Sequence, residues 1–234
     1  MKARDVEKEL KNLGSSERAK ASKWFFKTQK GQYGYGDLFF GVSVPKQRDV
    51  AKKYKDLPLP EISLLLKNKT HECRLAALFI LVGQYKKSDE SLRKKIAMFY
   101  LKHSKFINNW DLVDSSAPYI LGPYLLNRDR AVLYTLACSK NLWEKRIAVI
   151  STFAFIKQGQ LSDTFKIAEI LLKDPHDLIH KAVGWALREA GKKTLTEEEK
   201  FLEKYASIMP RTMLRYAIEK FSPQKRSYYL LKRG

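Results

Sequence analysis

Apolar residues recur at helical spacing along almost the whole chain, and this pattern itself repeats about every 36 residues. Arg74, Trp110, Arg146 and Ala182 are each 36 residues apart and mark equivalent turns of successive units. No stretch shows the sustained alternation of apolar and polar residues that is typical of strands. Repeats of two antiparallel helices build α-solenoids. The sequence therefore predicts an all-α fold, an α-solenoid of HEAT/armadillo-like antiparallel helix pairs whose second helices line a concave basic groove.

The repeat predicts a single HEAT-like domain over residues 1–234. We assign residues 1–57 to N-terminal helices and a glycine-rich loop, 58–221 to the helix-pair repeats, and 222–234 to a C-terminal basic helix. The loop from Gly31 to Asp37 lacks the Gly-Lys-Ser/Thr of a nucleotide-binding loop. Two interpretations of this loop are left: its glycines let it approach a phosphate backbone closely, or it is a flexible connector.

Capping and helix-breaking residues predict where individual helices begin and end. Ser88 is expected to cap one helix, Pro175 to occupy the first turn of another, and Thr196 to open a capping box. The segment from Asn108 is expected to be helical until near Pro118, where a proline cannot continue the backbone hydrogen bonds.

The strongest bulk property is charge. Lys and Arg number 45 and Asp and Glu 25, so the net charge is +20 and the pI is about 9.8. Such an excess predicts a polyanionic partner, because basic groups placed at phosphates release condensed counterions. Double-stranded DNA is the leading candidate. A membrane surface is less favoured because the apolar residues look committed to core packing, and an acidic protein remains a further alternative.

The two cysteines, Cys73 and Cys138, lie in apolar helical patterns, which predicts buried, reduced thiols rather than a disulfide or a zinc site. No apolar run approaches the roughly 20 residues that a membrane-spanning helix needs, and the N-terminus does not resemble a signal peptide. We therefore expect a monomer in a bacterial-type cytosol, associated with the nucleoid, with no membrane, metal or cofactor.

Trp110 and Asp114 are four residues apart and would share one face of a helix. In the predicted solenoid, Arg74, Arg146, Trp185 and Arg188 project into the same groove. A carboxylate beside aromatic faces suits a reaction that develops positive charge, such as hydrolysis of an N-glycosidic bond. Ordinary roles stay open, since Trp110 could belong to the core and Asp114 could form a structural ion pair with Arg146.

Several motifs resemble the DNA alkylation repair glycosylases of the AlkD type. They are Trp-x-x-x-Asp at 110–114, Trp-x-x-Arg at 143–146, Ala-Val-Gly-Trp-Ala-Leu-Arg-Glu at 182–189, Phe-Gly-Val at 40–42, His-Glu-Cys-Arg at 71–74 and Pro-Arg-Thr-Met-Leu-Arg at 210–215. The resemblance covers nearly the whole chain. It implies a HEAT-like solenoid that removes cationic alkylpurines from duplex DNA, and that grips the backbone and sugar rather than extruding the damaged base into a pocket.

The resemblance also implies roles for single residues. Asp114 would be the catalytic carboxylate, Trp110 and Trp185 would face the lesion sugar, and Arg146 would contact the backbone beside it. An aromatic residue that the family places on its second helix falls on Trp24 or Phe25, neither of which has a hydroxyl. The further candidates for DNA contact are basic residues, Arg74, Arg188, Lys192 and Lys193.

These observations together predict a monofunctional DNA glycosylase that hydrolyses the N-glycosidic bond of N3- and N7-alkylated purines in duplex DNA and leaves an abasic site. The alternative is a non-catalytic HEAT-repeat protein that binds damaged or distorted DNA by charge and shape.

Overall fold

A computed structural model describes residues 1–232, and helices form its regular structure. Over that range the only β-type pairing is an isolated bridge between Leu38 and Thr70, so the all-α prediction is confirmed. Backbone contacts divide the chain into two units, with the boundary in the sequence between Ile120 and Leu121. No helix of the described chain is long and apolar enough to span a membrane. The single-domain arrangement and the shared groove stay predictions.

The first unit is organised around one long buried helix, α5. Its α-helices are α1 (Ala3–Asn12), α2 (Ser16–Phe25), α3 (Val44–Lys53), α4 (Leu59–Leu66), α5 (His71–Lys87), α6 (Glu90–Lys102) and α7 (Trp110–Asp114). Helices α1, α3, α4, α6 and α7 all contact α5. Because neighbours surround it, α5 is apolar around most of its circumference and is buried along most of its length.

The second unit is organised around α13 in the same way. Its α-helices are α8 (Leu121–Leu125), α9 (Ala131–Ala137), α10 (Leu142–Ser151), α11 (Phe153–Lys157), α12 (Ser162–Ile170), α13 (Asp177–Gly191), α14 (Leu195–Tyr205), α15 (Arg211–Ala217) and α16 (Pro223–Leu231). Helix α15 crosses α13 at Gly184, where an added Cβ would lie 2.4 Å from the carbonyl oxygen of Met213. This close packing gives the glycine of the 182–189 motif a structural reason.

Three helix starts differ from the prediction by one or two residues. The capping residues are Asp89 rather than Ser88, His176 directly after Pro175, and Thr194 rather than Thr196. At the first of these, Asp89 accepts the Leu92 backbone N–H at 2.9 Å, whereas the Ser88 hydroxyl donates to the preceding helix at 2.7 Å. The sequence located these helix starts to within two residues but did not show, at the first of them, which of two adjacent polar residues would cap the helix.

Cys73 is buried, as predicted, but Cys138 is exposed. The prediction was wrong for Cys138 because α9 ends at Ala137. Cys138 is the C-cap residue of this helix and does not belong to its apolar face. Both cysteines are free thiols.

Candidate active site

The Trp110–Asp114 pair lies on a helix of five residues, α7, much shorter than the predicted helix to Pro118. Buried Asn109 caps it, with its side-chain oxygen accepting the Trp110 backbone N–H at 2.8 Å. One turn and a half of helix has little stability of its own, since nucleation is costly. The neighbouring side chains of the first unit therefore determine where α7 sits.

The first of these neighbours form an aromatic cluster, which we define as Phe25, Phe26, Phe39, His71 and Trp110. Phe26 stacks on Trp110 with ring centroids 5.6 Å apart, and Phe25 meets Trp110 edge-on at 5.8 Å. Phe26 and Phe39 pack against the ring of His71 at 4.6 and 5.0 Å. The end of α2 is thus joined to α5 and α7, and the predicted neighbour Phe25 is brought against Trp110.

His71 lies at the buried centre of this cluster, between two carboxylates. Its Nε2 is 2.8 Å from Asp111 Oδ2 and its Nδ1 is 3.3 Å from Asp37 Oδ2. Burial acts to lower the pKa of His71, but the charge and hydrogen bond of Asp111 and the hydrogen bond of Asp37 outweigh it and raise the pKa to about 9. At neutral pH the imidazolium therefore donates from both ring nitrogens and ties α5 to α7.

Arg74 does not have the position that was predicted for a DNA contact. Only 3% of the residue is exposed. Its guanidinium lies 2.7 Å from Asp37 and donates to the backbone carbonyls of Asn68 and Lys69. The prediction placed Arg74 on the same helix register as Trp110, but α5 is surrounded by protein and the side chain points inward, where it holds the loop before α5.

The loop before α3 is fixed by a second buried carboxylate, Glu72. It accepts the backbone N–H groups of Phe40, Gly41 and Val42 at 3.1, 2.7 and 3.2 Å. Gly41 has φ +79°, and a Cβ there would lie 2.1 Å from the carbonyl oxygen of Ser15. The Phe-Gly-Val and His-Glu-Cys-Arg motifs therefore bind each other through Glu72, and this contact positions α2 and its aromatic residues beside α5.

Asp114, at the end of α7, is half-buried beside a buried hydroxyl pair. Tyr100 and Ser116 are 2.9 Å apart through their hydroxyl oxygens, and Ser116 donates to the Leu112 carbonyl at 2.6 Å. Burial is the main cause that raises the pKa of Tyr100, and the negative charge of Asp114 adds to it. The Asp114 carboxylate thus lies close enough to Tyr100 to act on it electrostatically.

The other predicted residues belong to the second unit. Arg146 is 5% exposed and donates to the Leu178 carbonyl at 2.7 Å, and Trp185 is half-buried against Phe153 at 4.5 Å between ring centroids. Arg188 forms ion pairs with Glu189 and Glu219. Lys192, paired with Glu189 at 2.6 Å, and Lys193 are both exposed. Their proposed roles stay predictions.

Sequence reasoning missed the residues that hold α7: Asp37, Phe26, Phe39, His71 and Asp111. Asp111 follows Trp110 directly and lies on a different helix face from it, and it is one of the two carboxylates that His71 binds. A usable sign was present, since α5 opens with His71, Glu72 and Arg74 inside an otherwise apolar run. Buried polar groups at the start of a core helix indicate a hydrogen-bonded network.

Across residues 1–232 the side chains of His, Cys, Asp and Glu form no group of three or more that could hold a metal ion.

Comparison with known proteins gives one family. Residues 6–221 match the model of the DNA alkylation repair enzyme family. A solved structure from Enterococcus faecalis, described as a predicted DNA alkylation repair enzyme, is similar in fold, with a TM-score of 0.70 and 16% identity over 90% of this chain and 98% of that one. None of the curated proteins matches the chain. Because the family model spans most of its length, the chain belongs to the DNA alkylation repair enzyme family.

Proposed function

We propose that this protein is a DNA glycosylase that releases N3- and N7-alkylated purines from duplex DNA and leaves an abasic site. The observation that carries the proposal is α7, which presents a half-buried carboxylate, Asp114, four residues from an aromatic face, Trp110, that is braced by the aromatic cluster. Family membership supports a role in DNA repair, and the arrangement of α7 supports this particular reaction.

Cleavage of the N-glycosidic bond leaves positive charge on the sugar. The Asp114 carboxylate would stabilise that charge and orient the attacking water, while the face of Trp110 would stabilise it through the ring quadrupole. An alkylated purine is already cationic and leaves without a strong general acid. One carboxylate therefore suffices in this scheme. The roles of Trp185 as a further aromatic face and of Arg146 at the backbone rest on the family resemblance.

The positioning of Asp114 would be as important as its charge. The α7 helix is held at its start by Asn109, along its length by Asp111 on His71, and just beyond its end by Ser116 on Tyr100. Electrostatic stabilisation depends on groups that are already in place before charge develops. A short helix that is anchored at three points meets that requirement.

The test is release of free base from duplex DNA that carries N7-methylguanine, at low salt, by the parent protein and by Asp114→Asn. We expect the variant to lose release by at least about a hundredfold, which is typical when one preorganised charged group is removed, while it binds the duplex as tightly as the parent. Asp49→Asn is the matched control. Asp49 is exposed on α3, its side chain is 72% accessible, and the change in charge is the same.

Base release that is equal in the parent and Asp114→Asn would contradict the assignment of Asp114. If neither protein releases base but both bind the duplex, the alternative of a non-catalytic protein that binds damaged or distorted DNA is correct. Binding to an acidic protein but not to duplex DNA would favour the third possibility.

A further inference from the structure

The glycine loop, which we define as residues 27–36 between α2 and α3, is held at both ends. At its start the Gly34 backbone N–H donates to the Lys27 carbonyl at 3.1 Å. Directly after it, Asp37 is buried and bound to His71 at 3.3 Å. Of the two interpretations of this loop, these contacts exclude the flexible connector, because they carry its exposed groups on a fixed frame.

Lys27 begins the glycine loop in a backbone conformation that side chains disfavour. Its φ is +55°, and in the part of the chain that the structure describes it is the one residue other than glycine with a positive φ. The N–H of Lys27 donates to Trp24 and that of Thr28 to Lys23, at 3.3 and 3.2 Å, in the pattern of a helix end where glycine is most common. An outlier of this kind indicates that the lysine side chain has a task.

The loop and the end of α2 carry positive charge that the protein does not neutralise. Lys23, Lys27 and Lys30 are exposed, and none of them forms an ion pair within the described residues. The sequence from 18 to 36 contains no Asp or Glu. The Lys27 ammonium lies 4.8 Å from the ring centroid of Trp24, which holds it in place without cancelling its charge.

The remaining exposed groups of the loop are of the kinds that bind phosphates. Tyr35 is 65% exposed. Gly31 and Gly36 are exposed too, and their backbone N–H groups donate to no acceptor within residues 1–232. Lysine ammonium groups, tyrosine hydroxyls and backbone N–H groups all contact phosphate oxygens in protein–DNA interfaces.

Two contacts place the loop next to the candidate active site. Phe26, directly before Lys27, stacks on Trp110 with ring centroids 5.6 Å apart. At the other end, Asp37 binds His71 at the centre of the aromatic cluster. A phosphate at the loop would therefore belong to the same stretch of duplex as a sugar at Trp110.

We propose that the glycine loop binds the phosphate backbone of duplex DNA beside the lesion. Lys27 and Lys30 each contact one phosphate, and Tyr35 and the free backbone N–H groups contact the same strand. The choice of duplex DNA as the partner rests on the proposed function. Fixed cations without carboxylate partners favour such a ligand, because phosphates that bind them release condensed counterions.

The test is fluorescence anisotropy with an undamaged duplex at several salt concentrations, so that the measurement does not depend on base release. We compare the parent with the double variant Lys27→Gln, Lys30→Gln. Loss of two phosphate contacts should make the log–log salt slope shallower by about 1.8 and weaken binding at about 0.1 M salt on the order of fiftyfold. The control is Lys94→Gln, Lys95→Gln, which removes the same charge from exposed positions on α6 and should keep the slope of the parent.

Lys27→Gly separates a task in binding from a task in the fold. Glycine relieves the positive φ and removes the ammonium, so the midpoint of urea unfolding should not fall, while duplex binding weakens about eightfold at about 0.1 M salt. A lower midpoint with unchanged duplex binding would mean that Lys27 serves only the end of α2, and would overturn its assignment to DNA.

Failure of this inference and failure of the proposed glycosylase are distinguishable. Equal salt slopes for the parent and the loop double variant, or an equal loss in the α6 control, overturn the loop assignment even if the protein releases N7-methylguanine. A slope that falls only in the loop variant, in a protein that releases no base, supports the loop and refutes the glycosylase. Binding to polyglutamate but not to the duplex overturns DNA as the partner of the loop.

Discussion

Replacement of His71 by glutamine should change how the stability of the protein depends on pH. In the parent, His71 is buried among Phe26 and Phe39 and bridges Asp37 and Asp111 as a cation. Glutamine has one side-chain NH₂ group and no charge, so it cannot bind both carboxylates as His71 does. The variant therefore removes one titrating group and leaves the others in place.

The size of the effect follows from the pKa of His71, which rises from 6.5 to about 9 on folding. One pKa unit corresponds to about 1.4 kcal/mol, so the bound proton stabilises the folded protein by about 3 kcal/mol. The pKa is raised in the folded state, and this contribution is therefore complete below pH 6.5. It is lost as pH rises to 9, at up to about 1.4 kcal/mol per pH unit.

Urea unfolding, followed by circular dichroism at pH 6, 7, 8 and 9.5, measures this directly. The free energy of unfolding of the parent minus that of His71→Gln should fall by about 3 kcal/mol across the range. Other groups that titrate there cancel in the difference, including Cys73, whose pKa burial raises in both proteins. Asp111→Asn should move the fall to lower pH, because it removes the charge that raises the pKa of His71 most. Parallel curves for the parent and His71→Gln would refute the charged bridge.

Three further predictions concern other parts of the chain. Gly41→Ala should destabilise the protein by more than about 2 kcal/mol in urea unfolding, because Gly41 has a positive φ and a Cβ there would clash with the Ser15 carbonyl; an unchanged midpoint would contradict this. Burial and the charge of Glu199 raise the pKa of Glu198 to about 8, so the parent protein loses stability as pH rises from 4.5 to 8, because the buried carboxyl must ionise. Glu198→Gln does not ionise, and the difference in unfolding free energy between the two proteins should shift in its favour by on the order of 5 kcal/mol over that range, as measured by thermal unfolding. Duplex binding should weaken steeply with salt: the logarithm of the binding constant should fall against the logarithm of the salt concentration with a slope of about −0.9 for each phosphate contacted. A slope near zero, measured by fluorescence anisotropy, would refute nucleic acid as the partner of the +20 charge.

The parts of the fold that follow from local chemistry could be predicted from the sequence. Apolar periodicity predicted the all-α class, and the C-terminal helix predicted from residue 222 is α16, which Ser222 caps. Trp110 and Asp114 share one helix, as predicted, but that helix ends at Asp114 instead of continuing to near Pro118. Helix length here depends on tertiary neighbours, which a periodicity does not contain.

The sequence carries a sign that His71 belongs to a hydrogen-bonded network, but its partners in that network could not be predicted, for a related reason. Its two partners lie 34 and 40 residues away, on a loop and on a different helix. The 36-residue repeat placed Arg74 in line with Trp110, yet it could not say which face of α5 is covered. Because α5 is covered on nearly every side, the same register that exposes Trp110 in part leaves Arg74 inside, bound to Asp37.

The two carboxylates of α7 have different tasks, and the difference bears on how the site works. Asp111 is committed to His71 and fixes the helix, while Asp114, three residues on, interacts with Tyr100 across the helix end. A helix of five residues would not hold either side chain without such anchors. Catalysis by Asp114 would therefore depend on a carboxylate that never touches the substrate sugar. For this reason, a change at His71 or Asp111 should lower base release more than it weakens duplex binding, because it displaces the reacting carboxylate and leaves the basic surface unaltered.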